Sequence, residues 1–173
     1  MRKANPPPLK GPVRKPKLFV LMPFGDGKDS SFNCNFDQWY AKIIQPAGEA
    51  AGMEVERGDN DLLSLPIMQQ VWRYIRVADI VLAFLTSRNP NVFYELGFTH
   101  AIGRPVLLVA DDREKLPFDI AHLRHYLYND NNVDKVGVFV PAITQRLQAI
   151  LANPNRAVLE GVRRKRPPLV AAP

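Results

Sequence analysis

Residues 79–110, DIVLAFLTSRNPNVFYELGFTHAIGRPVLLVA, constrain the fold more than any other part of the chain. They open on an apolar, partly β-branched run from Ile80 to Leu85, which reads as a strand buried on both faces. Asn89-Pro90-Asn91 breaks the run, the pattern turns helical from Val92 to Ile102, and Gly103 stops it. Pro105 leads into a second buried strand, Val106 to Ala110. Strand, helix and strand of this length and apolarity form a βαβ unit, whose two strands run parallel. In open parallel sheets the ligand site lies beyond the carboxyl ends of the strands. The segment at that position is NPNVFYE, which ends in the carboxylate of Glu95.

The rest of the chain supplies matching units. Leu18 to Met22 reads as a short buried strand closed by Pro23-Phe24-Gly25. Asp26 to Asn35 is a polar Gly/Ser/Asn loop, placed to cover a ligand or to be a plain surface excursion. Phe36 to Ala51 carries apolar residues at three-and-four spacing, with Pro46 set to kink or interrupt the helix and Gly52 as its C-cap. Met53 to Arg57 alternates as a second strand and delivers Arg57 and Asp59 at its end. Leu62 to Val77 is the next helix. After Ala110 come a charged loop, the segment Leu116-Pro117-Phe118-Asp119-Ile120, and a short fifth strand at Tyr126 to Tyr128. Val136 to Leu151 closes the chain as a helix; Val136 to Val140 reads alternatively as a strand, with Pro141 then opening the helix. The pattern predicts an α/β, three-layer flavodoxin-like fold, with a five-stranded parallel sheet in the order 2-1-3-4-5. Its switch point places Pro23, Phe24 and Gly25 in one crevice with Asn89 to Glu95.

Composition bounds the partners. A chain of 173 residues, 46% hydrophobic and 23% charged, has the make-up of a globular domain. No apolar run reaches bilayer length, and the N-terminus lacks the apolar core of a secretory signal, so no membrane partner is expected. The lone Cys34 permits no internal disulfide and suits a reducing cytoplasm; its polar surroundings do not mark a nucleophile. The net charge of +6 is unevenly spread. Residues 1–17 hold six basic groups and no acid, and residues 156–173 hold five against Glu160, so the body carries 12 basic against 16 acidic groups. Half of the 16 prolines also fall in these ends. We therefore expect a basic Pro-rich arm over 1–16, a folded domain over 17–153 and a basic tail over 154–173. Basic arms can touch nucleic acid, or merely solubilise; no aromatic residue interleaves their charges as a base-stacking platform would require.

Several chemistries lack their motifs. No GxGxxG follows the first strand, no GxxxxGK[ST] or GxSxG occurs, and His100, His122 and His125 have no zinc-ligand spacing. No metal site or resident cofactor is expected. Glu95 remains. In the first turn of a helix, backbone N–H groups favour the ionised carboxylate. Such a group suits attack on, or stabilisation of, an anomeric carbon with oxocarbenium character. The same residue is accounted for by the helix dipole alone. Asn89 and Asn91 likewise serve equally as turn and cap residues, and Phe93 and Tyr94 as core or as stacking faces.

The pattern FVLMPFG, a helix, Gly-x-x-x-x-Arg-x-Asp, Ala-Asp-Ile-Val-Leu-Ala-x-Leu-Thr, NPNVFYELGFTHAIGRPVLLV and PFDI resembles a bacterial group of TIR-like proteins within the nucleoside 2-deoxyribosyltransferase-like superfamily. The likeness spans roughly Lys17 to Tyr128. It implies an active-site glutamate at the position of Glu95, which attacks C1′ in the transferases and sits beside the nicotinamide ribose in TIR domains with NADase activity. The transferases carry Asp where this chain has Asn89, and an amide cannot donate a proton as a carboxylic acid can; Asp59 or Asp119 are the other carboxylates at hand. The loop after the first strand also departs from signalling TIR domains, with MPFG and a longer polar stretch. The leading expectation is a nucleotide or nucleoside ligand, NAD or a related nucleotide as substrate rather than cofactor, with Glu95 at C1′, Phe24 and Tyr94 as walls, Asn89, Asn91 and Asp59 on ribose hydroxyls and Arg57 on a phosphate. Homo-oligomers are common among such domains. The leading reading is N-glycosidic cleavage; the alternatives are a non-catalytic nucleotide-sensing or assembly module, deoxyribosyl transfer, and a domain that tethers nucleic acid through its basic arms.

Overall fold

The apolar runs of the sequence become five parallel strands, β1 (Lys17–Leu21), β2 (Glu54–Arg57), β3 (Ile80–Phe84), β4 (Val106–Asp111) and β5 (His125–Tyr128). They pair in the order β2-β1-β3-β4-β5, as expected. The computed structural model describes residues 14–25, 34–58, 67–128 and 134–159. Every residue of β3 and β4 is buried, because both faces of a parallel sheet are covered by its crossover helices.

Two cores result, one on each face. Leu18, Val20, Leu82, Phe84, Leu107, Val109 and Tyr128 point to one side, where they meet α1 (Phe36–Trp39), α2 (Gln45–Ala50) and α6 (Val136–Ala152). Phe19, Leu21, Val81, Ala83, Val106 and Leu108 point to the other, against α3 (Ile67–Val77), α4 (Pro90–Ala101) and the short α5 (Phe118–Ala121). Trp39, fully buried, centres the first core; its ring lies 5.3 Å from Phe84, 4.5 Å from Tyr128 and 5.1 Å from Phe139. Pro46 does not break its helix. Tyr40–Ile44, between α1 and α2, is a π-helical turn in which the Gln45 N–H reaches Tyr40 O. The wider turn precedes the missing N–H of the proline, so α2 continues from it. Gly52 and Gly103 end their helices with φ of 80° and 70°, a conformation that costs a side chain dearly. The region Val136 to Val140 is helix, with Pro141 inside α6, so the strand alternative falls. Of the helix expected from Leu62, residues 62–66 lie outside the described ones.

The amino ends of β1 and β3 are clamped together. Asp79 accepts a bidentate pair from Arg14 at 2.7 and 2.8 Å and a third bond from the Lys17 N–H at 2.7 Å. Arg14, counted above with the basic arm, is therefore tied to the sheet. Burial alone would raise the Asp79 carboxyl; the bonds from Arg14 and Lys17 outweigh it and hold its pKa below the usual carboxylate value. A depressed carboxylate adds stability above its unfolded pKa and loses it as pH falls through the folded one. Asp79→Ala is expected to cost about 1–2 kcal/mol at pH 7, roughly 2–6 °C in Tm, with the gap to wild type narrowing below about pH 4. Thermal melts at pH 7 and pH 3 check both parts.

Candidate active site

Because all strands run the same way, β1, β2 and β3 deliver their following residues to one edge of the sheet. The chain leaving β1 enters α1 on one face, and the chain leaving β3 enters α4 on the other. The two loops part at this switch point, where a doubly wound sheet is expected to hold its ligand. Pro23, Phe24 and Gly25 follow β1, Arg57 ends the neighbouring β2, and Asn89 and Asn91 stand at the start of α4. Asp59 lies outside the described residues.

Glu95 differs from expectation in one respect. The Asn89 side chain accepts from the Asn91 N–H at 2.9 Å and the Val92 N–H at 3.4 Å, and Pro90 occupies the first helical position. This capping starts α4 two residues before Val92, so no acidic residue falls in its first turn. Glu95 has no free N–H groups beside it and gains nothing from them. It stands at the margin of the buried stripe of Val92, Leu96 and Thr99. Phe98, one turn further on, stacks on Trp72 of α3 with ring centroids 5.4 Å apart. Residues three apart share a helix face, so Glu95 lies on the flank of α4 that faces α3. Among the described residues no hydrogen bond or ion pair reaches its carboxyl group, and burial pushes its pKa up to about 7. The group is thus half protonated near neutrality rather than held ionised. That is the range in which a carboxyl can serve as nucleophile or as acid and base.

An acid so placed costs stability. Below the unfolded pKa both states are protonated and nothing is lost. As pH rises toward 7 the unfolded chain releases its proton first, and above that the folded chain carries the charge in a half-buried place. Glu95→Gln removes this cost. After discounting for partial exposure, the variant is expected to gain about 1–2 kcal/mol, a Tm higher by roughly 2–6 °C at pH 8, and nothing at pH 4. Equal melting of the two proteins at pH 8 would show that the site does not disfavour the charge.

The aromatic and basic candidates meet one another. Arg57, only 9% exposed, lies between the rings of Phe24 at 4.9 Å and Tyr40 at 4.5 Å, and bonds Asp37 at 2.9 Å. Its guanidinium thus holds Phe24 in place, and a phosphate at this point competes with Asp37. Phe24 and Tyr94 are 57% and 61% exposed, two apolar faces open to a planar ligand. The cap consumes Asn89 Oδ1 and leaves that side chain its NH2 group; the Asn91 side chain is exposed. Asp119 sits exposed on α5 in the crossover from β4 to β5. With β3 between β1 and β4, this is the flank of α4 away from α3. Among the described residues no hydrogen bond or ion pair joins Asp119 to Glu95, whose carboxyl is shifted by burial alone.

Sequence reasoning missed how the turn after β3 is held. Ser87 and Arg88 both adopt positive φ, 73° and 49°. Glu114, from the loop after β4, accepts the Ser87 N–H at 2.8 Å and pairs with Arg88 Nε at 3.1 Å. Behind the turn, Thr86 Oγ1 and the Tyr128 hydroxyl lie 2.7 Å apart, and Thr86 Oγ1 accepts the Asp111 N–H at 3.0 Å. The only signal was the break in hydropathy after Leu85 and the polar residues ending β4 and β5. Cys34 is fully buried beside Tyr128, and burial pushes its thiol up to about 12, so it stays protonated. Among the described residues no cluster of three or more His, Cys, Asp or Glu is placed to hold a metal ion, and no helix is long and apolar enough to cross a membrane.

No protein-family model matches the sequence, and no curated protein does. Solved structures do. The TIR domain of the Toll-related receptor TRR-2 from Hydra magnipapillata superimposes with a TM-score of 0.56 at 10% identity, over 76% of this chain and 97% of that one. The fold is that of a TIR domain. A CMP N-glycosidase, BcmB, from Clostridium botulinum aligns at TM-score 0.46 and 16% identity, over 70% of this chain and 99% of its own. A 2-deoxyribosyltransferase from Bacillus psychrosaccharolyticus aligns at 0.48 and 18%, over 73% and 95%. The fold assignment rests on the first of these together with the strand order.

Proposed function

We propose that this TIR-fold domain binds a nucleotide and cleaves its N-glycosidic bond, with NAD or a close relative as substrate and Glu95 as the group at C1′. The observation that supports the reading is Glu95 itself, half-buried on α4, its carboxyl without a hydrogen bond or ion pair among the described residues, and its pKa raised by burial to about 7. In its ionised form the carboxylate attacks C1′ as the bond to the base breaks, and the base leaves with the bonding electron pair. Water then hydrolyses the glycosyl ester, releasing the sugar and restoring the acid. Phe24 and Tyr94 form the walls, and the amides of Asn89 and Asn91, with Asp59, meet the ribose hydroxyls. Arg57, engaged with Asp37, keeps the Phe24 wall in place and stands nearest to a phosphate.

One feature favours NAD over a deoxynucleoside. Neutral bases leave poorly unless protonated, and where the transferases the sequence resembles carry an acid this chain has the amide of Asn89, which cannot donate a proton as a carboxylic acid can; Asp59 and Asp119 are the remaining carboxylates for that role. Nicotinamide in NAD carries a positive charge on the bonded nitrogen and leaves neutral without a proton. Purified protein incubated separately with NAD and with deoxynucleosides, followed by chromatography of the free bases, is expected to release nicotinamide and leave the deoxynucleosides intact. Release of no base from either, with ligand still bound, would make the domain a sensor instead.

A further inference from the structure

At the opposite edge of the sheet from Glu95 lies a cavity of about 700 Å³, where β4 and β5 begin. His100 from the last turn of α4, the segment His122 to Tyr126, Arg146 from α6, and Arg156 with Val158 and Leu159 beyond it line the space, which is open to solvent on one side. It gathers all three histidines of the chain and three arginines, and among the described residues no aspartate, glutamate or lysine lines it. Two of these arginines, Arg124 and Arg146, belong to a body carrying 16 acidic against 12 basic groups, which makes that segregation unusual. Among the described residues Arg124, Arg146 and Arg156 form no ion pair with a carboxylate. Arg146 lies over the Tyr126 ring at 4.2 Å and donates to Ala142 O, which fixes its guanidinium without cancelling its charge. His125 has Nε2 buried with no hydrogen-bond partner.

Converging guanidinium and imidazole donors without a counter-charge suit an anion with several oxygens, and planar guanidinium groups match a phosphate in particular. The volume falls within the usual range for small-molecule sites, and it far exceeds a bare phosphate ion. We propose that this cavity is a second binding site, separate from the Glu95 crevice, for an organic phosphate ester of sugar-phosphate to mononucleotide size. Arg124, Arg146 and Arg156 grip the phosphate, and the apolar wall of Val106, Leu123 and Ile150 takes the organic part. The site is independent of the chemistry proposed for Glu95, since a ligand there touches neither the crevice nor the turn after β3.

Calorimetric titration of the full chain with ribose 5-phosphate, AMP and inorganic phosphate tests this. Ribose 5-phosphate lacks a base and separates this site from the crevice; AMP shows whether a base adds affinity. The triple variant Arg124→Gln, Arg146→Gln, Arg156→Gln is expected to bind the esters at least about 30-fold more weakly, while Arg73→Gln, an exposed change on α3, binds like wild type. Should the triple variant melt early, Arg124→Gln alone, with no packed contact to lose, is expected to weaken binding about fivefold. Unchanged ester binding in these variants, no ester binding at millimolar concentration, or inorganic phosphate binding as tightly as the esters would overturn the proposal.

Discussion

Glu95→Gln is expected to lower the rate of glycosidic cleavage by about 10³-fold or more while leaving nucleotide affinity within a few-fold of wild type. Glutamine keeps the size of the side chain and one hydrogen-bonding oxygen, so the walls and the ribose contacts survive. What it removes is the negative charge at C1′, where positive charge develops in the transition state, and the capacity to form a glycosyl ester. A contact made only in the transition state is lost from kcat, not from KM. The wild-type pH profile carries the same signature. Burial raises the Glu95 pKa to about 7 and the attacking form is the carboxylate, so kcat rises with pH through about 7 and then levels. Below that midpoint the rate drops about tenfold per pH unit. Initial rates of nicotinamide release from NAD between pH 5 and 9 measure both effects. A rate that ignores pH across this window, or a Glu95→Gln enzyme as fast as wild type, rejects Glu95 as the nucleophile.

The same burial explains what the sequence could and could not disclose. The parallel sheet follows from the alternation of strand and helix patterns: Ile80 to Leu85 and Val106 to Ala110 are too apolar to face water, and the helix between them makes them parallel strands covered on both faces. The order is that of a doubly wound sheet built from five such strands. The crevice follows from the order, since β1 and β3 send their loops to opposite faces. The state of Glu95 does not. It depends on where α4 begins, and that was set by a side chain, Asn89 Oδ1, bonding N–H groups two and three residues ahead. A helix read from hydropathy starts at its first buried residue, Val92, whereas the physical helix starts at its cap. That shift of two residues moves Glu95 out of the helix dipole's reach and turns a stabilised anion into a strained one. Arg57 was legible as a charge at the end of β2; its enclosure by Phe24, Tyr40 and Asp37 joins residues up to 33 positions apart, and periodicity carries no information at that range.

Long-range fixing matters most at the turn between β3 and α4, and Glu114→Ala is expected to show it. Ser87 and Arg88 hold left-handed backbone conformations that cost residues with a Cβ about 1 kcal/mol or more each. They persist because Glu114, whose side chain is 4% exposed, satisfies the Ser87 N–H with one oxygen and Arg88 with the other. Truncation leaves a half-buried N–H without its acceptor and the two strained residues without their restraint. The expected loss is about 2–4 kcal/mol, or roughly 5–15 °C in Tm. Glu114→Gln, which retains an oxygen for Ser87 and loses only the ion pair, is expected to lose less than half as much. The turn also aims the Asn89 cap and so sets the axial position of α4, which makes Glu114 a positioning residue for Glu95 without contact to substrate. In Glu114→Ala, kcat for nicotinamide release is accordingly expected to fall about tenfold at temperatures where the protein stays folded, with the pH midpoint still near 7 because the burial of Glu95 is unchanged. Ser87→Gly, free to adopt positive φ without a Cβ, should recover part of the lost stability in the Glu114→Ala background. If Glu114→Ala melts within a degree of wild type, the turn holds its shape unaided and Glu114 has no part in positioning the acid.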